Sequence, residues 1–171
     1  MPALDDVRPS LESVTQDVQL IELIVAAPLP NLGAGPVCSA TAGRIDAWSA
    51  SANGKPLVLA GLWLLAGDLD RSHAISQDSK SADGAVWHGI MHRREGDFWN
   101  AKYWFRQAGR HAVYDELRRQ LGAGGALELE ELLRSAVLGD RNLAESLVDC
   151  VETAEGDAVS VLERVCWLEW Q

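Results

Sequence analysis

A Gly-Asp turn signal recurs along this chain and limits its fold more than any other feature. The pair stands at positions 67–68, 96–97, 139–140 and 156–157, each time after an apolar pattern with helical spacing. Glycine ends helices because it adopts the left-handed conformation without strain, and a following aspartate can cap the next helix. Alternating patterns rich in β-branched residues, which are typical of strands, occur nowhere in the sequence. These signals predict an all-α protein of packed antiparallel helical hairpins.

The spacing of apolar residues sets the predicted helix boundaries. Helices are predicted over residues 10–26, 55–66, 69–79, 84–95, 97–109, 112–121, 126–138, 141–153 and 157–170. Residues 27–44 are rich in proline and glycine, which predicts a long loop after the first helix. With 171 residues, 47% of them apolar, the chain is long enough to bury one core. We therefore expect a single helical domain over residues 1–171.

The cysteines and the longest apolar runs indicate where such a chain resides. Cys38, Cys150 and Cys166 have no metal-binding or redox spacing, and three cysteines cannot all pair in disulfides. Because reducing compartments keep thiols free, we expect free cysteines and a cytoplasmic protein. The longest apolar runs, such as residues 57–66, are far shorter than the roughly 20 residues of a membrane-spanning helix. No membrane insertion is expected.

Charge divides the chain into acidic flanks and a mildly basic centre. The formal net charge is −10, and residues 1–54 contribute −4 of it, from 2 basic and 6 acidic groups. Residues 55–114 contribute +2, from 8 basic and 6 acidic groups, and residues 115–171 contribute −8, from 5 and 13. An acidic body repels nucleic acid and anionic lipid, so neither is an expected partner. A small anionic ligand would be drawn to the centre.

The predicted helices on either side of Gly96 carry a recognisable packing pattern. Three small residues, Gly89, Ala101 and Ala108, would let the two helices approach closely. The aromatic ring of Phe105 would fill the contact between them, which we call the seam. This hairpin resembles a tetratricopeptide or Sel1-like unit, which implies a helical-repeat packing. It departs from that pattern at His88 and His92, which replace apolar residues, and at Val113, which replaces proline.

Two strings in the centre of the chain define a candidate functional segment over residues 69–111. LDRSHAISQ and WHGIMHRREGDFWNAKYWFRQAGRH resemble a family of bacterial proteins of unknown function, and the resemblance implies no activity. The segment contains all four histidines of the chain and most of its aromatic residues. This interleaving of polar and aromatic side chains is more than a scaffold helix needs.

Three residues on the predicted helix over 84–95 form a candidate metal site. His88 and His92 are four residues apart and Glu95 follows three later, so all three lie on one stripe of the helix. Imidazole nitrogen and carboxylate oxygen on one face can bind zinc or iron. His73 or Asp70 on the preceding helix could complete the shell. We expect instead that the histidines are hydrogen-bonded or solvated side chains of the helix edge and that the protein has no cofactor, with a divalent zinc or iron ion as the alternative.

Basic and aromatic residues nearby form a candidate ligand site. It combines three histidines with four basic residues and one tyrosine. These residues are His73, His88, His92, Arg93, Arg94, Lys102, Tyr103 and Arg106. Arginine forks suit carboxylate or phosphate groups, so a small anionic ligand fits this set. The alternative is a solvated face on which the cations pair with local carboxylates.

Two classes of function remain open from the sequence. Helical hairpins without a strong catalytic motif favour a binding or scaffold module for a protein or peptide partner. The alternative, which the central cluster of histidine, arginine and aromatic residues favours, is a small-ligand or metal-dependent protein, with an enzyme included in that class. Fold class does not choose between them.

Overall fold

The computed structural model describes residues 8–51, 55–124, 131–138 and 142–171, and the regular structure in these ranges is helical, without strands. The helices are α1 Arg8–Val14, α2 Val18–Val25, α3 Ser39–Ser51, α4 Pro56–Ala66, α5 Leu69–Ser76, α6 Ala82–Glu95, α7 Phe98–Ala108, α8 Ala112–Gly124, α9 Glu131–Leu138, α10 Leu143–Glu152 and α11 Asp157–Trp170. The all-α prediction is confirmed.

The first two Gly-Asp turns form as predicted. Gly67 ends α4 and Gly96 ends α6, with φ angles of 81° and 87° in the left-handed region. Asp68 caps α5 and Asp97 caps α7, each accepting a hydrogen bond from the backbone N–H three residues later. These turns fold α4 against α5 and α6 against α7.

The last Gly-Asp pair does not repeat that result, and the third cannot be compared. The pair at 139–140 lies outside the described residues. At 156–157 the prediction is wrong, because α10 already ends at Glu152 and Gly156 caps the start of α11. A separate turn intervenes, in which the Thr153 hydroxyl donates to the backbone carbonyl of Asp149 at 3.0 Å.

The predicted helix over 10–26 is two helices, α1 and α2. Asp17 interrupts the pattern because its carboxylate accepts hydrogen bonds from the backbone N–H of Leu20 at 3.0 Å and from Trp48 Nε1 at 2.7 Å. Aspartate competes for backbone N–H groups in this way, so it starts a helix more readily than it continues one.

The predicted loop over 27–44 is shorter than expected, because α3 begins at Ser39. The buried stripe of α3 consists of Thr41, Ile45 and Trp48, which are spaced four and three residues apart. Small residues surround this stripe, so its helical period is weak in the sequence. The remaining extended segment, residues 28–38, runs past the C-terminal end of α4, where Cys38 donates its N–H to the carbonyl of Ala66 at 2.8 Å.

Other boundaries differ by a few residues. The helix predicted over 69–79 ends at Ser76, and the helix predicted over 112–121 continues to Gly124. Residues 126–130 of the helix predicted over 126–138, and residue 141 of the helix predicted over 141–153, lie outside the described part of the chain.

Two apolar clusters form the core, and α4 lies between them. One cluster packs α6 and α7 against α8, α10 and α11, with Phe105 and Leu147 fully buried. The other packs α2 and α3 against α4, with Ile45 and Leu62 at its centre. The residues of α4 from Ala60 to Ala66 are all buried, which explains why this helix is apolar on every side. Among the described residues, no helix combines the length and the apolar character needed to cross a bilayer. Cys38, Cys150 and Cys166 form no disulfide, as expected.

The hairpin of α6 and α7 packs closely through Gly89. A Cβ atom built on Gly89 would lie 2.6 Å from Phe105 Cε1, so only glycine fits against this ring. Ala101, Phe105 and Ala108 are buried along the same seam, as the small-residue pattern predicted. This close approach sets the position of α7 relative to the histidines of α6.

Candidate functional site: a buried histidine cluster

Three of the four histidines meet where α5, α6 and α7 pack together. His73 lies on α5, and His88 and His92 lie one turn apart on α6. Ring centroids are separated by 4.8 Å for His73 and His88, 5.5 Å for His73 and His92, and 4.8 Å for His88 and His92. One ring nitrogen of each lies within 4.8 Å of the others. Of the two residues offered to complete the predicted site, His73 or Asp70, His73 is the one that lies beside His88 and His92.

His88 lies at the centre of this cluster and is 3% exposed. Neither of its ring nitrogens has a hydrogen-bond partner among the described residues. Its ring is held by stacking on Trp104, with centroids 4.0 Å apart and planes inclined by 15°. Burial, together with the neighbouring His92 and His73, lowers the pKa of His88 to about 4. The imidazole is therefore neutral near pH 7.

His92 is also buried, but its two nitrogens have different surroundings. Nε2 lies 3.2 Å from the side-chain amide of Asn100. Nδ1 is buried without a hydrogen bond within the described part of the chain, and the nearest Glu95 carboxylate oxygen is 3.7 Å away. Burial lowers the pKa of His92, although the charges of Glu95 and Asp97 oppose this effect.

Two carboxylates border the cluster on the side of His92. Glu95 and Asp97 each place an oxygen within 4.8 Å of one His92 nitrogen and of each other, and both residues are exposed. Glu95, predicted as a ligand together with His88 and His92, thus lies at the rim of the cluster. Neutral nitrogen donors and anionic oxygen donors are the ligands that bind zinc and iron.

The structure places Arg93 and Arg94 on the opposite side of α6 from this cluster. Arg93 is 2% exposed and forms a two-pronged ion pair with Glu169 of α11, which also accepts a hydrogen bond from Tyr114 at 2.8 Å. Arg94 is buried and donates to the backbone carbonyls of Leu64 and Gly33. Both guanidinium groups hold neighbouring elements together.

Lys102 and Arg106 lie on the outer face of α7 and pair with carboxylates of α10. Lys102 is paired with Asp149, and Arg106 Nε donates to Glu145 at 2.8 Å. The structure therefore does not bring the predicted cations together in one anion site. Each has a carboxylate or carbonyl partner within the chain. The solvated-face alternative is also wrong for Arg93 and Arg94, because both are buried and their partners are distant in sequence.

Tyr103 and the adjacent Trp99 form an exposed aromatic pair on α7. Trp99 is 77% exposed and Tyr103 is 43% exposed. Their rings are nearly parallel, with centroids 6.3 Å apart. Tyr103 also meets the edge of Trp104 at 5.4 Å, so this surface pair is continuous with the ring that stacks on His88.

His111 stands apart from the other histidines. Its Nε2 lies 2.8 Å from Asp83 at the rim of an apolar groove of about 290 Å³. Trp87 and Trp170 line this groove, on the far side of α6 from the histidine cluster. The fourth histidine of the central segment thus belongs to a different surface.

Sequence reasoning missed two neighbours of the cluster, Asn100 and Trp104. The predicted hairpin could have identified both residues, because residues at equal distances before and after the turn lie opposite each other in two antiparallel helices. His92 and Asn100 lie four residues before and after Gly96, and His88 and Trp104 lie eight before and after it. Symmetry about the turn thus identifies both contacts.

Comparisons of this chain with protein-family models, with curated proteins and with solved structures give no match.

Proposed function

We propose that this chain is a transition-metal-binding protein in which His73, His88 and His92 hold one zinc or iron ion. The observation that carries the proposal is the burial of His88 with both nitrogens unpartnered among the described residues. A buried polar group without a hydrogen bond costs about 1–3 kcal/mol, and coordination to a metal ion would offset that cost.

The electrostatics of the cluster favour a cation. Metal ligation requires unprotonated imidazole, and burial lowers the pKa of both His88 and His92. The carboxylates of Glu95 and Asp97 stand beside His92, and the two arginines that follow His92 in the sequence, Arg93 and Arg94, are engaged elsewhere. Three imidazole donors leave room for a further ligand, and Glu95 supplies the nearest oxygen in this arrangement.

The test measures metal content and metal affinity. Chelator-treated protein is titrated calorimetrically with Zn²⁺ and, without oxygen, with Fe²⁺. The parent is expected to bind one ion per chain, and His88→Gln is expected to abolish binding while leaving the thermal midpoint of the metal-free protein nearly unchanged. His111→Gln is the matched control and should bind as the parent does. A parent protein that binds neither ion and shows no thermal shift with them would contradict the proposal.

A second candidate function is a helical-hairpin binding module for a protein or peptide partner, and the exposed pair of Trp99 and Tyr103 supports it. Large exposed aromatic residues in contact with each other are typical of interaction surfaces. A partner recovered by the parent and lost with Trp99→Gln and Tyr103→Gln, at unchanged metal affinity, would favour this function. Equal recovery by parent and variants would contradict it.

A further inference from the structure

Asn100 is the one polar side chain among the described residues that contacts a nitrogen of the buried histidine pair within hydrogen-bond distance. It lies in the first turn of α7, where its backbone N–H donates to the Asp97 carboxylate at 3.1 Å. This cap fixes the backbone of Asn100, and the side-chain amide then reaches across the hairpin to His92. The position of the amide is therefore set by the Gly96–Asp97 turn.

The two nitrogens of a neutral imidazole are not equivalent. One carries a proton and the other a lone pair, and only the lone pair can bind a metal ion. A partner that accepts a hydrogen bond from one nitrogen therefore leaves the other free for the metal. In the structure, Nδ2 of Asn100 lies 3.2 Å from Nε2 of His92. A half-turn of the amide group exchanges Nδ2 for Oδ1 at nearly the same place, so the side chain can serve as that acceptor.

We infer that Asn100 is a positioning residue for the metal site: when the ion binds, its amide presents Oδ1 in place of Nδ2 and accepts a hydrogen bond from Nε2–H of His92, which leaves Nδ1 unprotonated and directed at the ion. This inference rests on the proposed metal site. Two observations place the ion on the Nδ1 side. Nδ1 is buried without a hydrogen bond among the described residues, and the carboxylate of Glu95 lies 3.7 Å from it.

His88 is oriented by a different interaction, so the effect of Asn100 on metal binding is limited to His92. Stacking on Trp104 holds the His88 ring, and its nitrogens have no hydrogen bond within the described residues. Loss of Asn100 therefore disturbs one ligand and leaves the others in place. It should weaken metal binding without abolishing it.

The affinity test uses full-length protein, Zn²⁺ as the probe and two substitutions. Asn100→Ala is expected to lower zinc affinity about 10–100-fold, which is the effect of losing an outer hydrogen bond to a histidine ligand. Asn100→Asp keeps an acceptor and is expected to restore affinity to the parent value or above it. A purely structural role would lower the thermal midpoint of metal-free Asn100→Ala and would not be rescued by aspartate in the affinity measurement.

The spectroscopic test needs no substitution. Nitrogen-15 NMR of the imidazoles in the zinc-loaded parent is expected to show a proton on Nε2 of His92 and the metal on Nδ1. Zinc on Nε2, or Asn100→Ala with the affinity of the parent, would overturn the inference while leaving the metal site intact. A parent that binds no zinc would overturn both the inference and the proposed function.

Discussion

The polar residues buried on the two sides of α6 differ in whether they have interaction partners. On one side, Arg93 reaches across the core to Glu169, and both charges have partners. On the other side, His88 is equally buried, yet its nitrogens find no partner among the described residues. One helix thus carries a paired guanidinium and an unpaired imidazole within two turns.

This difference separates a structural role from a functional one. A buried charge that pairs with an opposite charge holds elements together, since breaking the pair leaves the partner charge stranded. A buried polar group without a partner adds nothing to the fold and costs stability, so it points to a ligand that supplies the missing interaction. Each prediction below tests one side of this comparison.

The largest effect is expected for Arg93→Met. The substitution leaves Glu169 buried without its ion partner, which should destabilise the protein by about 3–5 kcal/mol. Urea unfolding monitored by circular dichroism measures the loss. The double variant Arg93→Met with Glu169→Gln removes both charges, and it should recover much of the stability because Tyr114 keeps an acceptor.

Arg106→Ala is the control for that substitution. Arg106 is 59% exposed at its side chain and pairs with Glu145 at the surface. Exposed pairs contribute about 0–1 kcal/mol, so its loss should be small. Equal effects of the two substitutions would show that the buried pair has no special role.

The second prediction concerns Gly89, which brings α7 close to the histidine side of α6. Gly89→Leu should destabilise by about 1–3 kcal/mol, since its side chain would collide with the ring of Phe105. The displacement of α7 should also loosen the stacking of Trp104 on His88 and weaken zinc binding. Thermal unfolding and zinc titration of the same variant measure both effects.

Gly43→Ala provides the matched control, because a Cβ atom on Gly43 meets nothing within 4 Å. Gly43 lies in α3, where alanine should stabilise the helix by roughly 0.5–1 kcal/mol. If Gly89→Leu is as stable as the parent, the hairpin does not pack through this glycine.

The sequence predicted the hairpin and its histidines for a definite reason. Gly96 and Asp97 set the turn, and the spacing of His88 and His92 places both on one stripe of α6. The approach of His73 was offered only as a possibility, because contact between α5 and α6 depends on the angle at residues 77–81. No local pattern fixes that angle.

The roles of the arginines could not be read from the sequence. Arg93 finds its partner 76 residues away at Glu169, and only the packing of α11 across α6 brings the two together. Arg94 pairs with backbone carbonyls, which every residue has, so no residue type marks the partner. Helix α3 was missed because its stripe of three buried residues lies among small ones.

The smallest effect is expected for His88→Leu in metal-free protein. Removing an imidazole without partners relieves a cost of about 1–3 kcal/mol, while losing its stacking on Trp104 costs about 0.5–1.5 kcal/mol. The two nearly cancel, so the variant should be within about 1 kcal/mol of the parent near neutral pH. A loss as large as that of Arg93→Met would mean that His88 has a structural partner.

The pH dependence of the same pair of proteins sharpens this last test. The pKa of His88 is about 4 in the folded protein, below its ordinary value of 6.5. As pH falls from about 6.5 toward about 4, the unfolded chain therefore takes up a proton that the folded protein does not, and the parent loses stability. His88→Leu lacks this group, whereas His92 titrates in both proteins and contributes equally. The difference in unfolding free energy between variant and parent should therefore shift toward the variant on acidification. Parallel pH profiles in chelator-treated protein would show that His88 is not held neutral by burial.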